Sequence, residues 1–428
     1  MNHTSAPETI AIDALRIGMF VHLEGGWMSH PFPTSNFRIA SADQIATLGS
    51  LGLQRVRWSP RRSVLVDAAA APAQGDAALP VQHSQPARGE VTPGELRERA
   101  RAERRAQRVC EQQFSEAATA CRKMTALVRE QPLAAGASAR ALTGALADKM
   151  IGSHELCVRV LGEAAGDRAA VHAMNVAVLS LLLGRVCQLD PAGMLDMGVG
   201  ALLHDIGKLD LPEGVRHARE DFSPAQQRAC EEHVAHGLAH AGRMELSPGA
   251  TLVIAQHHEH ADGSGFPRRI GSEDLNAASR IVSLVDRYDN LCNPHIAADA
   301  VTPHEALARL FVKGRMTYDD AILGAFIRML GIYPPGSTVQ LTDDRYGLVV
   351  AANSSRPLRP RVRVHDPRVA PDDALLIDLE STPGLGIRRS LKPSALPGRA
   401  AQCLTPSARV AYFFEPALAE RTEPECIG

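Results

Sequence analysis

Apolar and polar positions change rhythm several times along this chain of 428 residues. Over residues 9–66 the apolar runs are short, Ile10-Ala11-Ile12 and Met19-Phe20-Val21, and are separated by Gly18 and Gly25-Gly26. Ser41 with Gln44 three positions on is a capping-box pattern and predicts a helix to about Leu51. Arg55-Val56-Arg57-Trp58 alternates polar and apolar, as a half-buried strand does. This is a small α+β N-terminal domain. Residues 67–91 are rich in Ala, Pro, Gln and Gly without periodicity, and read as a flexible linker. Thr92-Pro93-Gly94-Glu95 starts a helical connector, 92–137: Thr92 caps, Pro93 fills a position whose missing N–H costs nothing, and Glu95 completes the box. From 138 to 333 one helical pattern follows another, opened by Asp190-Pro191, Ser223-Pro224-Ala225-Gln226 and Thr302-Pro303-His304-Glu305. No strand-like alternation interrupts this stretch, so an all-helical domain is expected. Past Tyr333-Pro334-Pro335-Gly336, the β-branched runs Thr338–Leu341, Gly347–Val350 and Val362–Val364 predict a small β-rich C-terminal domain, 334–418. The expected fold class is multidomain and mainly α.

Composition narrows the function more than the fold. Hydrophobic residues make up 45% of the chain, enough for an ordinary core, and the net charge of -2 gives no global field to draw in DNA. The charged run Arg97–Arg108 mixes both signs and reads as a solvated helix face. The eight cysteines include no Cys-x-x-Cys pair, which removes zinc-ribbon and thioredoxin readings, and scattered thiols suit a reducing compartment. Met1–Ile10 lacks the apolar segment of a signal peptide, and the longest apolar stretch, Val176–Leu183, is too short to span a bilayer. A soluble cytoplasmic protein without a membrane span is therefore expected.

The chemistry concentrates in the helical stretch. His172 lies in Val171-His-Ala-Met-Asn-Val176, and His204 and Asp205 in Leu203-His-Asp-Ile-Gly-Lys208. His233 follows the Ser223 helix start, His257-His258-Glu259 precedes Asp262-Gly-Ser-Gly-Phe-Pro267, and Asp286 stands in Val285-Asp-Arg-Tyr-Asp289. A lone histidine on an apolar face is usually a packing residue. Several imidazoles and carboxylates in one helical domain are the ligand types of divalent iron, manganese or zinc. His204 and Asp205, about 100° apart around a helix, would reach one cluster from neighbouring faces. Lys208 shares the face of His204 if the helix continues, whereas Gly207 marks where it can end.

These residues resemble the HD-GYP family, cyclic di-GMP phosphodiesterases within the HD-domain superfamily. Leu203–Lys208 matches the family pattern, and His257-His-Glu-x-x-Asp-Gly-Ser-Gly-Phe-Pro267 matches with Phe266 in place of the naming Tyr. The resemblance covers about residues 150–333. Residues 9–66, through Gly18–Val21, Trp27 and Pro31-Phe32, look like the small domain that often precedes it. The resemblance implies an HD-type metal-dependent phosphohydrolase domain that holds two divalent ions, iron or manganese. Its metal ligands would be His172, His204, Asp205, His233, His257, His258 and Asp286, with Asp205 between the ions. Asp205 and Lys208 would be the catalytic residues, and Gly263, Gly265, Phe266, Pro267 and Asp289 would meet the substrate. Hydroxide between the ions would open cyclic di-GMP to pGpG, with GMP as the alternative final product. Glu259 would orient a ligand imidazole, Asp262 would fix the Gly-rich loop, and His236 and His240, outside the pattern, would be solvated or packing residues. Protein signalling partners through the N-terminal domain and a homodimer are compatible with the resemblance.

Two departures bear on function. Some family members carry, four residues before the upstream histidine, a Glu that binds a third metal; here Arg168 stands there, which implies two ions. After the last ligand Asp the family carries an Arg and a Lys expected to clasp substrate phosphates; here His295 and Ala298 stand in their places. Each lost charged hydrogen bond removes about 1.5–3 kcal/mol of binding. Arg268, Arg280 and Arg287 are candidates to compensate. Three functions are therefore in play: an active cyclic di-GMP phosphodiesterase, a signalling module that acts through nucleotide or protein binding without turnover, and a phosphodiesterase for another cyclic dinucleotide.

Overall fold

The computed structural model describes residues 8–23, 36–39, 42–50, 53–63, 93–151, 156–162, 167–219, 221–353, 358–367, 374–382, 384–404 and 409–416. Gly25-Gly26, Trp27, Pro31-Phe32, Ser41, the expected linker 67–91 and the Thr92 cap lie outside them.

The N-terminal unit pairs strands β1 (Glu8–Ala11), β2 (Phe20–His22), β3 (Asn36–Arg38) and β4 (Arg55–Trp58) in an antiparallel sheet of order β1-β4-β2-β3, with helix α1 (Ala42–Ser50). Leu15, Met19, Val21, Ile39, Leu48 and Val56 form its core. The alternation of Arg55–Trp58 is realised: Val56 is buried and its neighbours Arg55 and Arg57 are exposed.

The main body is helical: α2 (Pro93–Leu127), α3 (Pro132–Ile151), α4 (Arg168–Val186), α5 (Pro191–Leu203), α6 (Pro224–Glu231), α7 (His233–Arg243), α8 (Pro248–Gln256), α9 (Ala277–Cys292), α10 (Pro303–Lys313) and α11 (Asp320–Leu330). The start signals work as chemistry. Asp190 accepts from Gly193 N–H, and Ser223 and Thr302 each close a reciprocal capping box with Gln226 and Glu305. Central α4 is apolar on almost every face, with 13 buried residues, and packs against α2, α5 and α9. By length and composition it could cross a membrane, although the run Val176–Leu183 alone could not; in this fold it is the core helix. Truncating a residue such as Leu179 to Ala would cost about 2–5 kcal/mol.

One expectation fails here. The stretch 138–333 is not all helical, because Leu156–Val160 forms strand β5. It joins β6 (Thr338–Leu341), β7 (Tyr346–Asn353), β8 (Arg361–Val364), β9 (Leu375–Asp378), β10 (Ile387–Leu391) and β11 (Tyr412–Pro416) in a seven-stranded antiparallel sheet, with the short helix α12 (Gly398–Leu404) beside β7. Every residue of β5 is buried, so it has no polar face and no alternation for a pattern reading to detect. The expected boundary at 333/334 also blurs: β11 pairs with β5, and Tyr412, Phe413 and Phe414 belong to the same core as α4 and α9.

Candidate metal centre

The centre is built largely at helix ends. His204 caps the C-terminus of α5, and Asp205 follows at a break before a 3-10 turn, Ile206–Asp210. His233 opens α7 directly after α6, His257 caps α8, and His258 is next in the chain. His172 and Asp286 come from within α4 and α9. Helix C-termini leave carbonyls without intrahelical donors, and three imidazoles use them. His204 Nδ1 lies 2.8 Å from Ala201 O, His233 Nδ1 2.7 Å from Cys230 O, and His257 Nδ1 2.8 Å from Ile254 O. A carbonyl only accepts, so each Nδ1 carries the proton and each Nε2 is left as a lone pair.

Those lone pairs point into one space. His233 Nε2 and His257 Nε2 are 3.4 Å apart, and His204 Nε2 lies 3.1 Å from His172 Nε2. Asp205 lies between the two groups: His172, His204 and Asp205 bring one ligand atom each within 4.8 Å of one another, and so do Asp205, His233, His257 and His258. Asp205 Oδ1 is buried and accepts no hydrogen bond, while Oδ2 takes one from Lys208 Nζ at 2.6 Å. Asp286 Oδ1 lies 3.1 Å from His172 Nε2 and 3.4 Å from His204 Nε2. Buried acceptors opposed to acceptors are costly without a cation between them, so the donor set fits divalent metal ions.

Charge follows the same logic. Burial opposes ionisation of Asp205, but the Lys208 ammonium and the imidazoles around it outweigh this and hold the carboxyl well below its usual range. Asp286 is held low by His172 and His204 against the same opposition. Burial pushes His257 well down and His258 down to about 3, so both stay neutral. His172 goes the other way: burial opposes its charge, yet Asp286 and Asp289 raise it to about 10.

All seven expected ligands thus converge. Lys208 joins them through Asp205, three residues back, rather than along the face of His204, because the helix ends at Leu203. The Gly-rich loop lies against the centre, where the Phe266 ring stacks on His258 at 4.5 Å. Gly263 has φ 74°, and a side chain on Gly265 would strike the His258 carbonyl at 2.4 Å. Asp262 fixes the loop as expected, accepting from Ser264 N–H at 2.9 Å.

Two expected roles are corrected. Asp289 cannot meet substrate: it is fully buried behind His172, with Oδ2 2.7 Å from His172 Nδ1 and Oδ1 accepting from Asn175 and Asn293. It orients a ring instead. Glu259 orients none; its carboxylate accepts from Arg268 N–H and Ile270 N–H and ties down the loop. His240 is a packing residue paired with Asp210 at 2.7 Å. Of the candidate substitutes for the phosphate clasp, Arg280 is taken up by Asp319 and by the Leu275 and Ser272 carbonyls. Sequence reading overlooked Asn175 and Asn293, which look like ordinary helix and loop residues, and His217, whose ring stacks on His295. Only proximity in space singles these out.

The HD domain matches residues 149–322, and a domain of unknown function, DUF3391, matches residues 8–139. A cyclic di-GMP phosphodiesterase of Pseudomonas aeruginosa is 27% identical over 372 residues, covering 83% of this chain and 84% of its own length. A 3'3'-cGAMP-specific phosphodiesterase of Vibrio cholerae is 28% identical over 174 residues, 40% of this chain and 37% of that one. Among solved structures, an HD-GYP-like protein of Bdellovibrio bacteriovorus, Bd1817, matches with a TM-score of 0.41 at 13% identity, covering 75% of this chain and 98% of that one.

Proposed function

From a chain that carries an HD domain with the DUF3391 domain ahead of it and resembles the HD-GYP family, we infer a metal-dependent phosphodiesterase that hydrolyses cyclic di-GMP to pGpG or further to GMP. The carrying observation is the half-buried Asp205 carboxylate, its Oδ1 buried without a donor, shared by two groups of imidazoles.

His172, His204, Asp205, His233, His257, His258 and Asp286 would hold two divalent ions, iron or manganese. Such ions activate water at neutral pH and neutralise charge on a phosphoryl group. The chain's own part is preparation. Backbone carbonyls at Nδ1 of His204, His233 and His257 leave Nε2 of each ring as the nitrogen offered to a cation. Asp289 orients His172, with Asn175 and Asn293 holding the carboxylate in place. Lys208, held at the edge of the centre by Asp205, is positioned to stabilise negative charge on phosphoryl oxygens. Gly263, Gly265, Phe266 and Pro267 shape the mouth. Arg168, a cation where a third ion would need a carboxylate, favours two ions. Action in the cytoplasm is part of this reading, with which seven free cysteines among the described residues are compatible.

The test is to load the purified chain with iron(II) or manganese under reducing conditions, add cyclic di-GMP, and follow pGpG and GMP by chromatography. Turnover that disappears in Asp205→Ala supports the reading; binding without turnover points to a signalling module. A parallel incubation with 3'3'-cGAMP is warranted by the relative of that specificity. Faster cleavage there would move the substrate to the mixed dinucleotide.

A further inference from the structure

Beside the metal centre, three segments converge on a group of side chains that the reading above leaves unused. Arg168 is the first residue of α4, one turn before His172, and its Nη2 donates to Asn293 O at 3.0 Å. Among the described residues no carboxylate is in ion-pair contact with it; burial and Arg409 oppose its charge, and Asp289, not in contact, partly offsets them. His217 lies on the loop after the turn that carries Lys208. His295 lies on the turn after α9, which carries Asp286. The two rings stack at 4.3 Å and 15°. Burial, Lys208, His295 and Arg168 together depress His217 to about 4, which makes it a neutral ring at physiological pH, and the Arg168 contact with Asn293 is two residues before His295. Of the two stacked residues, His295 is exposed and His217 half-buried. Arg219, also near His295, is already paired with Asp221 at 3.0 and 2.9 Å.

A guanidinium without a carboxylate is matched by a phosphate oxygen, for which it offers a forked pair of donors. A flat neutral ring with one face open is matched by a nucleobase. Both requirements belong to one nucleotide, and the group adjoins a centre suited to a phosphodiester. We propose that Arg168 and the stacked His217–His295 pair form the subsite for the second nucleotide of a cyclic dinucleotide, Arg168 taking the phosphate remote from the metals and His295 the base. This rests on the cyclic-dinucleotide reading, and it replaces the expected Arg/Lys clasp with His295, at the position of the expected Arg, and with Arg168 and His217 from two other segments.

The experiment is calorimetric titration of the manganese-loaded protein with cyclic di-GMP and 3'3'-cGAMP, with steady-state kinetics and metal content for each variant. Arg168→Ala is expected to weaken binding about tenfold or more and to raise KM while kcat is largely kept. Arg168→Lys should recover part of that loss. His295→Ala should weaken binding about fivefold or more, and His295→Phe, which keeps a stacking face, should restore it. The proposal is overturned if these variants bind as the wild type does, or if Arg168→Lys is as damaging as Arg168→Ala and kcat falls together with metal content, since Arg168 would then only hold α4 in place. If the wild type takes 3'3'-cGAMP rather than cyclic di-GMP and the variants weaken that binding in the same way, the subsite stands and the assigned substrate falls. If the wild type binds neither dinucleotide, both fall.

Discussion

The helical body holds two buried charged clusters, and their charges are settled differently. Around Arg159 they balance within the protein. Arg159 on β5 and Arg361 on β8 each contact both Glu103 of α2 and Glu415 of β11, with Arg159–Glu415 at 2.6 Å and Arg361–Glu103 at 3.1 Å. Two cations meet two anions, and the quartet ties α2 to three strands. Around Asp205 there is no such balance: the lone pairs of His233 and His257 face each other and a carboxylate oxygen has no donor. Burial and perturbed ionisation are common to both clusters and so do not separate function from architecture. What separates them is whether each acceptor has its donor. The cluster that lacks donors is the one that calls for a ligand.

The largest expected effect comes from removing the shared acceptor. Asp205→Ala should lower turnover by about a thousandfold or more, because it takes an oxygen from both imidazole groups at once and releases Lys208. Metal content per chain should fall with it, read by elemental analysis beside the rate assay. The wild type should carry two ions; three tightly held ions would break the assignment that Arg168 supports.

Loss of balance in the other cluster should be costly to stability rather than to chemistry. Arg159→Met leaves Glu103 and Glu415 with Arg361 alone, one buried negative charge uncompensated, and about 3–5 kcal/mol of stability should be lost, seen as a lower urea midpoint. Folded molecules of this variant should still bind metal like the wild type. Replacing all four charged residues by apolar ones of similar volume should recover much of the loss, since no unpaired charge then remains buried. A variant that lost metal and stability in equal measure would dissolve the distinction.

Much of this was legible in the residues, and the limits have physical causes. The start signals at Asp190, Ser223 and Thr302 act over three or four residues, so the sequence contains the whole interaction. His204–Lys208 and His257–Pro267 are equally local. β5 was hidden because burial on both faces removes the alternation that marks a strand. Asp289 was misplaced because one turn of helix separates it from Asp286, and only packing against α4 decides that one carboxylate faces the centre and the other the back of His172. His217 and His295 stand 78 positions apart, and no local pattern relates them.

A smaller effect should come from Gly207. A Cβ there would lie 1.9 Å from His233 O and 2.4 Å from Gly237 N, both backbone, so the 3-10 turn after Asp205 and helix α7 would have to part. Gly207→Ala should therefore shift His233 against Asp205 and weaken metal binding about 10–100-fold, the size seen when support behind a ligand is lost. Competition with a chelator measures it. Unchanged affinity would mean that the site tolerates more slack than the packing indicates.

The mildest test is of pH, and there the two clusters should respond with opposite sensitivity. Without metal, His172 is raised to about 10 by Asp286 and Asp289, so it is protonated at neutral pH. A metal must displace that proton, whereas His257 and His258, held low, are already neutral. Between about pH 7 and 9 the apparent affinity of the ion that His172 contacts should rise about tenfold per pH unit, which is about 1.4 kcal/mol, and about one proton should be released on binding. Titration calorimetry in buffers of different ionisation enthalpy counts that proton. Over the same range the quartet should contribute unchanged stability. Burial opposes the Glu415 carboxylate, but Arg159 and Arg361 hold its pKa below the ordinary 4.5, so its contribution is present above that value and disappears only as pH falls through the lower folded one. A flat affinity profile would mean that His172 enters the centre already neutral, leaving Asp289 to orient a ring it does not charge.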